Sequence, residues 1–123
     1  MTPFGDKMRR LRAERGITLK QMAHALSISS AYLSALEHGK RGRPGWHLIQ
    51  RILAYFNIIW DEAEEVVRLA RISHPRITID TGGLSPRATE LANRLADDMA
   101  RLDSQAIEGL IAILDRRASK LKG

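Results

Sequence analysis

One stretch of nineteen residues, QMAHALSISSAYLSALEHG at residues 21–39, constrains the fold more than any other part of the chain. Met22 and Leu26 lie four residues apart, on one face of a helix. Leu33 and Leu36 lie three apart, on one face of a second helix. The spacing predicts two short amphipathic helices that pack against each other across a tight turn.

The second of these helices has recognisable ends and one face without a structural role. Ser29 can cap its N-terminus with a side-chain oxygen, and Gly39 can adopt the left-handed conformation that ends a helix. The face opposite the leucines carries Ser30, Ala31, Ser34, Ala35 and His38. A stable helix does not require these residues there, so we expect this face to be exposed and to act on something outside the fold.

This segment resembles the helix-turn-helix of the Cro and Xre family of phage and bacterial repressors. The positions that match at the family's spacings are Gln21, Ala23, Ile28, Leu33, Leu36, Glu37 and Gly39. The family's basic loop after its recognition helix is similar to residues 40–46, KRGRPGW. The resemblance covers residues 3–72, and it departs from the family at Ser27, where many members have glycine. It implies a phage-repressor-like domain whose third helix enters the major groove of DNA.

The resemblance also implies two groups of DNA-contacting residues. The residues implied for base readout are Ser30, Ala31, Tyr32 and Ala35. Those implied for the DNA backbone or the minor groove are Thr18, Lys20, Gln21, Ser34, His38, Lys40, Arg41 and Arg43. The first group has no Arg, Asn or Gln for bidentate base contacts, so we expect groove shape and deformability to supply much of the specificity.

Positive charge is concentrated in the half of the chain that contains this segment. Residues 1–58 hold ten Lys and Arg against three Asp and Glu, whereas residues 59–123 hold ten against eleven. A charge run is usually only a solvated surface. Here it coincides with the helix-turn-helix pattern, which favours contact with phosphates, since neutralising phosphates releases counterions.

Capping residues and apolar spacing predict a domain of five helices. The predicted helices lie near residues 3–15, 19–26, 30–38, 46–56 and 60–72. Thr2 caps the first helix and Gly16 ends it, while Thr18 caps the second. Five helices of this size form a complete small core, which needs no disulfide in a chain without cysteine.

Two tryptophans begin the fourth and fifth predicted helices. We expect Trp46 to anchor the fourth helix in the core rather than to serve as a stacking platform. We expect Trp60 to lie at the junction with the C-terminal part of the chain. Asp61 and Glu62 follow in the first turn of the fifth helix, where the helix dipole favours negative charge.

The five-helix domain is predicted to end at residue 73, because Pro75 cannot continue a helix. Residues 76–80, RITID, then alternate polar with β-branched apolar side chains. A lone strand has no partner in a helical chain, so this segment is either an extended linker or pairs with its copy in a second subunit. The predicted domains are therefore residues 1–73, a linker or short strand at 74–84, and residues 85–123.

Two further amphipathic helices are predicted near residues 86–102 and 105–120. Their apolar residues with helical spacing are Leu91, Leu95, Met99, Leu102, Ile107, Leu110, Ile111 and Leu114. A hairpin of two such helices cannot cover both apolar faces by itself, so we expect a second copy to cover them in a homodimer. The predicted fold class is all-α, with a five-helix domain, a short extended segment and a C-terminal helical hairpin.

The function that the resemblance implies is that of a sequence-specific transcriptional regulator, in the commoner case a repressor. It would bind an inverted-repeat operator in double-stranded DNA as a homodimer. Two alternatives stay open: a DNA-binding antitoxin of a toxin–antitoxin pair, and a protein-interaction adaptor that uses the same fold. The protein partner would be RNA polymerase for a regulator and a toxin for an antitoxin.

Nothing in the sequence favours an enzyme, a metal site or a cofactor. The histidines, His24, His38, His47 and His74, lack metal-binding spacing. The carboxylates that open the fifth helix are explained by its dipole. Cysteine is absent, and no apolar run is long enough for a signal peptide or a membrane span. We therefore expect a cytoplasmic, nucleoid-associated protein that does not contact membranes.

Overall fold

A computed structural model describes residues 1–122, and within them the fold is all-α, as predicted. The helices are α1 (Pro3–Arg15), α2 (Leu19–Ala25), α3 (Ser30–Glu37), α4 (Trp46–Phe56), α5 (Trp60–Arg71), α6 (Pro86–Asp98) and α7 (Ser104–Lys122). A 3-10 turn, Met99–Arg101, follows α6. Residue 123, the end of the predicted hairpin, lies outside the described residues. The chain divides into two compact units, residues 1–77 and the residues from 78 onward.

The first unit has one apolar core to which all five of its helices contribute. The buried apolar side chains are Phe4, Met8, Leu11, Met22, Ala23, Leu26, Leu33, Leu36, Ile49, Ile52, Phe56, Ile58, Val66 and Ala70. The predicted inner faces of α2 and α3 are among them. Fully burying one large apolar side chain contributes about 1.5 to 3 kcal/mol, so this core dominates the stability of the unit.

Side-chain caps define the helix starts that the sequence predicted. The hydroxyl of Thr2 accepts a hydrogen bond from the Gly5 amide at 3.0 Å, and Ser29 accepts one from the Tyr32 amide at 3.0 Å. At the end of α1, Gly16 has φ 64. These caps satisfy backbone groups that a helix end would otherwise leave unpaired. They fix where each short helix begins, and so which residues face the core.

The turn between α2 and α3 contains a residue in the left-handed region. Ser27 has φ 56, and it is the residue that stands where many Cro and Xre members have glycine. This conformation costs a residue with a Cβ atom about 1 to 2 kcal/mol. Two hydrogen bonds hold the turn, from the Ser27 amide to His24 O at 3.1 Å and from the Ile28 amide to Ala23 O at 3.0 Å. The tight turn is therefore kept at the cost of local strain.

The prediction that Trp46 anchors α4 in the core is wrong. Its side chain is 57% exposed, and α4 is anchored instead by Ile49, Ile52 and Phe56. At 100° per residue, Trp46 lies about 90° from the centre of the face that these three residues form, so it falls at the edge of the core. Trp60 is 80% exposed at φ 57, and its expected place at a junction stays a prediction.

The second unit buries far less of its apolar surface. Among residues 78–120 no side chain reaches full burial. Of the apolar residues predicted for dimerisation, Leu95, Leu102 and Ile107 are half-buried. The others, Leu91, Met99, Leu110, Ile111 and Leu114, are exposed. The apolar faces of α6 and α7 are thus largely open to solvent within one chain.

The segment that joins the last helix of the first unit to α6 has neither helix nor strand between residues 73 and 81. Its end is shaped by two polar contacts. The Gly82 amide donates to Asp80 Oδ1 at 2.8 Å, and the Thr89 hydroxyl donates to the Thr81 hydroxyl at 2.8 Å. Within one chain the segment is a linker, and its pairing with a second copy stays a prediction.

An α-helix that crosses a membrane must be long and almost continuously apolar. None of the helices within residues 1–122 is long and apolar enough to cross a bilayer.

Candidate nucleic-acid interface

The last turn of α3 lies directly against the N-terminus of α1. The Thr2 amide donates a hydrogen bond to the Glu37 carbonyl at 3.0 Å, and the Thr2 hydroxyl donates to the same oxygen at 3.3 Å. Gly5 allows this approach, because a Cβ atom at that position would collide with the backbone of Glu37. The C-terminal end of α3 is therefore fixed by backbone contacts that tolerate little movement.

A buried ion pair adds to this attachment. The Arg12 guanidinium forms two hydrogen bonds to the Glu37 carboxylate, one of them from Nη2 to Oε1 at 3.0 Å. The two side chains are 11% and 2% exposed. Arg12 Nη1 also lies 3.5 Å from Met22 Sδ, so one guanidinium contacts both helices of the helix-turn-helix. A bidentate pair holds a fixed geometry, and this one sets the orientation of α3 on the core.

Sequence reasoning missed Gly5 and Arg12 as positioning residues. Adjacency to a buried residue gives no signal for the pair, because Glu65 adjoins the buried Val66 and is exposed, whereas Glu37 adjoins the buried Leu36 and is buried. A carboxylate that is itself buried needs a cationic partner, because an unpaired charge in the core is very costly. Which of the four arginines of α1 supplies it could be decided only once α1 was placed against α3.

The outer face of α3 carries the residues predicted for base readout. Ala31 is exposed and Tyr32 is 37% exposed, whereas Ser30 and Ala35 are half-buried. Ser30, Ala31 and Tyr32 lie in the first turn, at the end of a recognition helix that approaches base edges, and Ala35 lies in the second turn. The side chains are short except for Tyr32, so the surface of α3 can come close to a groove floor.

Two residues predicted for the DNA backbone flank this face. His38 is exposed, and its Nδ1 lies 2.9 Å from the carbonyl of Ser34, which leaves Nε2 for other partners. Ser34 itself is half-buried. Of the two, His38 is therefore the more accessible to a phosphate.

The N-terminus of α2 contains a reciprocal cap. The Gln21 amide donates to the Thr18 hydroxyl at 3.0 Å, and the Thr18 amide donates to Gln21 Oε1 at 2.8 Å. These bonds use the acceptor oxygens of both side chains. The Thr18 hydroxyl only accepts here, so its O–H, the NH₂ group of Gln21 and the exposed ammonium of Lys20 remain as side-chain donors that this helix end can offer to an anion.

The loop after α3 brings three exposed cations to the same region. Lys40, Arg41 and Arg43 are all exposed, and Gly39 and Gly42, at φ 75 and φ 79, give the loop its tight path. The Arg41 guanidinium lies 5.9 Å from the centre of the Tyr32 ring, a cation–π contact. This contact brings the loop next to the exposed end of α3.

In the part of the chain that the structure describes, no group of three His, Asp or Glu side chains could hold a metal ion. What the surface offers is a helix end with short side chains, bordered by hydrogen-bond donors and cations.

Residues 3–65 match the helix-turn-helix domain family. The chain belongs to the helix-turn-helix domain family. The predicted resemblance to a helix-turn-helix regulator is thereby confirmed, and the narrower Cro and Xre assignment is compatible with it. This is not an enzyme family, which agrees with the prediction made from the sequence.

The curated relatives of this helix-turn-helix chain are named as regulators. It is 39% identical over 61 residues to the uncharacterized HTH-type transcriptional regulator RghRB of Bacillus subtilis (strain 168), a match that covers 50% of this chain and 44% of that protein. It is 36% identical over 61 residues to the HTH-type transcriptional repressor RghR of the same strain, covering 50% and 45%. It is 42% identical over 53 residues to the HTH-type transcriptional regulator DdrOP3 of Deinococcus deserti, covering 43% and 40%.

The matches to this helix-turn-helix chain are confined to part of each protein. They cover less than half the length of each of these relatives. No solved structure gives a significant match to the chain.

Proposed function

We propose that this protein is a sequence-specific transcriptional regulator that binds double-stranded DNA through residues 1–73. The observation that carries the proposal is which parts of α3 are buried, held in place and exposed. Its inner face is buried through Leu33 and Leu36, its last turn is fixed by the Arg12–Glu37 pair, and the outer face of its first turn is open at Ala31 and Tyr32. A rigid helix with an open N-terminal half is what insertion into a major groove requires.

The proposed contacts divide into two groups. Bases are read by Ser30, Ala31, Tyr32 and Ala35, with the alanines limited to thymine methyl groups. The sugar-phosphate backbone or the minor groove is contacted by Thr18, Lys20, Gln21, Ser34, His38, Lys40, Arg41 and Arg43. Much of the sequence preference then comes from the shape and deformability of the DNA, because the base-reading group has few strong hydrogen-bonding side chains.

The proposed regulator acts as a homodimer and a repressor. The apolar faces of α6 and α7 bind a second copy through Leu91, Leu95, Met99, Leu102, Ile107, Leu110, Ile111 and Leu114. Two recognition helices then lie about 34 Å apart on one side of the DNA, so the operator is an inverted repeat. Repression is supported by the relative RghR, which is named a repressor. A dimer bound over a promoter would exclude RNA polymerase.

Selection of bound duplexes from a random-sequence pool tests this function directly. We expect an inverted repeat, and binding that weakens steeply as salt is added. Arg43→Ala should weaken binding to every duplex, because phosphate contacts carry no sequence information. Ala31→Gln should instead change the preferred base at one position, because it adds an amide that can read adenine. Binding that is absent or insensitive to salt would contradict the proposal.

A further inference from the structure

A second part of the chain lies beside the basic loop that follows α3. Arg43 Nη1 lies 3.5 Å from the carbonyl oxygen of Arg71, the last residue of α5. A Cβ atom placed on Gly39 would lie 3.3 Å from Pro75 Cβ. The chain that leaves α5 therefore returns to the C-terminal end of α3, far from it in sequence.

The path of this returning segment is fixed by a buried serine. Ser73 is 3% exposed, and its hydroxyl accepts a hydrogen bond from the Phe4 amide at 2.9 Å while it donates to Leu69 O. The position next to Gly39 that Pro75 approaches is also 3.0 Å from Thr2 Cγ2. The backbone between residues 71 and 76 is thus attached to α1 and lies against the end of α3.

This segment adds positive charge to the border of the proposed interface. Arg71 and Arg76 are exposed, as are the three cations of the basic loop. None of these five cations forms an ion pair with a carboxylate in residues 1–122. By contrast, four of the five cations of α1, Lys7, Arg10, Arg12 and Arg15, are each paired. Neighbouring cations without carboxylate partners repel one another, and bound phosphates would relieve that repulsion.

We propose that Arg71 and Arg76 bind phosphates of the same duplex that α3 and the basic loop contact. Both residues lie beyond residues 3–65, the part that matches the helix-turn-helix family. The DNA footprint of this chain is therefore wider than the helix-turn-helix domain alone would give. This inference rests on the proposed DNA binding.

Salt dependence on a long random-sequence duplex tests the inference, because phosphate contacts do not depend on the operator. Each lost contact should make the slope of log K against log salt shallower by about 0.9 per bound subunit. We expect that change for Arg71→Ala and for Arg76→Ala, and about twice that change for the double variant. The Arg71→Lys/Arg76→Lys variant should keep the slope of the unaltered protein, since it keeps both charges.

Arg10→Ala is the matched control. Arg10 is an exposed arginine of α1 that pairs with Asp6 at 2.8 Å. Gly5 and Arg12 mark the side of α1 that faces α3, and at 100° per residue Arg10 lies about 150° from them. The control removes one positive charge away from the proposed interface, so we expect its salt slope to be unchanged.

The outcomes separate the two proposals. If the unaltered protein shows a steep slope and the Arg71→Ala/Arg76→Ala variant shows the same slope, the inference is overturned and the proposed DNA binding stands. If the unaltered protein shows no salt-dependent binding to any duplex, both are overturned. A shallower slope in the double variant, recovered with lysine and absent in the Arg10→Ala control, supports the inference.

Discussion

The two units of this chain are built from similar helices but are stabilised in different ways. Residues 1–77 enclose a core in which large side chains such as Phe4, Leu33 and Ile52 are fully buried. In the second unit, Leu91 and Leu114 are 57% and 68% exposed. Isolated helices of this length are marginal in water, and most helix stability in proteins comes from burying an apolar face. The first unit supplies that burial itself, whereas the second leaves most of its apolar surface exposed within one chain.

Local helix signals do not account for this difference. Ser29 caps α3 in the first unit, and Ser85 caps α6 in the second by accepting from the Ala88 amide at 3.2 Å. Pro3 and Pro86 each occupy the first position of a helix, where proline is favoured. Serine caps and first-position prolines therefore start helices in both units. What separates the units is tertiary burial, and the following substitutions test that conclusion.

The largest effect is expected from Glu37→Ala in the first unit. The substitution leaves the Arg12 guanidinium buried without a partner, which should lower the free energy of unfolding by about 3 to 5 kcal/mol. Urea denaturation followed by circular dichroism measures it. The Arg12→Met/Glu37→Leu variant is the control, since it removes both charges and should recover most of the loss. A loss below about 1 kcal/mol for Glu37→Ala would mean that the pair behaves as an exposed one.

A cavity in the core should have an effect of similar size that does not depend on protein concentration. Ile52 is fully buried, so Ile52→Ala should lower the free energy of unfolding by about 2 to 5 kcal/mol. The measurement is the urea midpoint for unfolding of the first unit, at several protein concentrations. A loss that changed with concentration would show that the first unit, like the second, depends on assembly.

For Leu114→Ala in α7 we expect an effect on assembly, which does depend on protein concentration. If a second copy covers this residue, losing its burial costs about 1.5 kcal/mol or more in each subunit, and the two losses raise the dimer dissociation constant roughly a hundredfold. Sedimentation equilibrium measures that constant. Arg116→Ala is the control, because Arg116 lies on the opposite face of the helix, about 200° away. Equal dissociation constants for both variants would place the dimer contact elsewhere.

The smallest effect is expected in the turn between α2 and α3. Ser27→Gly removes the Cβ atom from a left-handed residue and should raise the free energy of unfolding by about 1 kcal/mol or less. Gly16→Ala, at φ 64 with open space around it, is the reverse test and should lower the stability by a similar amount. Thermal unfolding compares the two. A loss of stability in Ser27→Gly would mean that the serine side chain stabilises the turn.

The parts of the fold that follow local rules were predictable from the sequence. Helix starts at Thr2, Ser29 and Ser85 depend on bonds that span three residues, so the sequence around each one is sufficient. The Arg12–Glu37 pair joins positions 25 residues apart, and nothing near Arg12 distinguishes it from the other arginines of α1. The exposure of Trp46 likewise depends on which helices cover the start of α4. Neither can be read from the spacing of apolar residues.

The candidate site follows the same division between local and distant determinants. The open face of α3 was predictable because it lies opposite the leucines that face the core. The approach of Arg71 and Pro75 to the basic loop was not, since it depends on where the chain passes after α5. Helix periodicity describes each element but does not say which ends of different elements meet.

The close seating of Gly5 against Glu37 has a mechanical consequence. Since the carbonyl of Glu37 is held by Thr2 and its carboxylate by Arg12, any tilt or slide of α3 would break these buried polar contacts. A duplex in the proposed complex would have to supply the adaptation itself, by bending or by changing the width of its grooves. Such a protein would discriminate between binding sites by how easily the DNA deforms as much as by its base sequence.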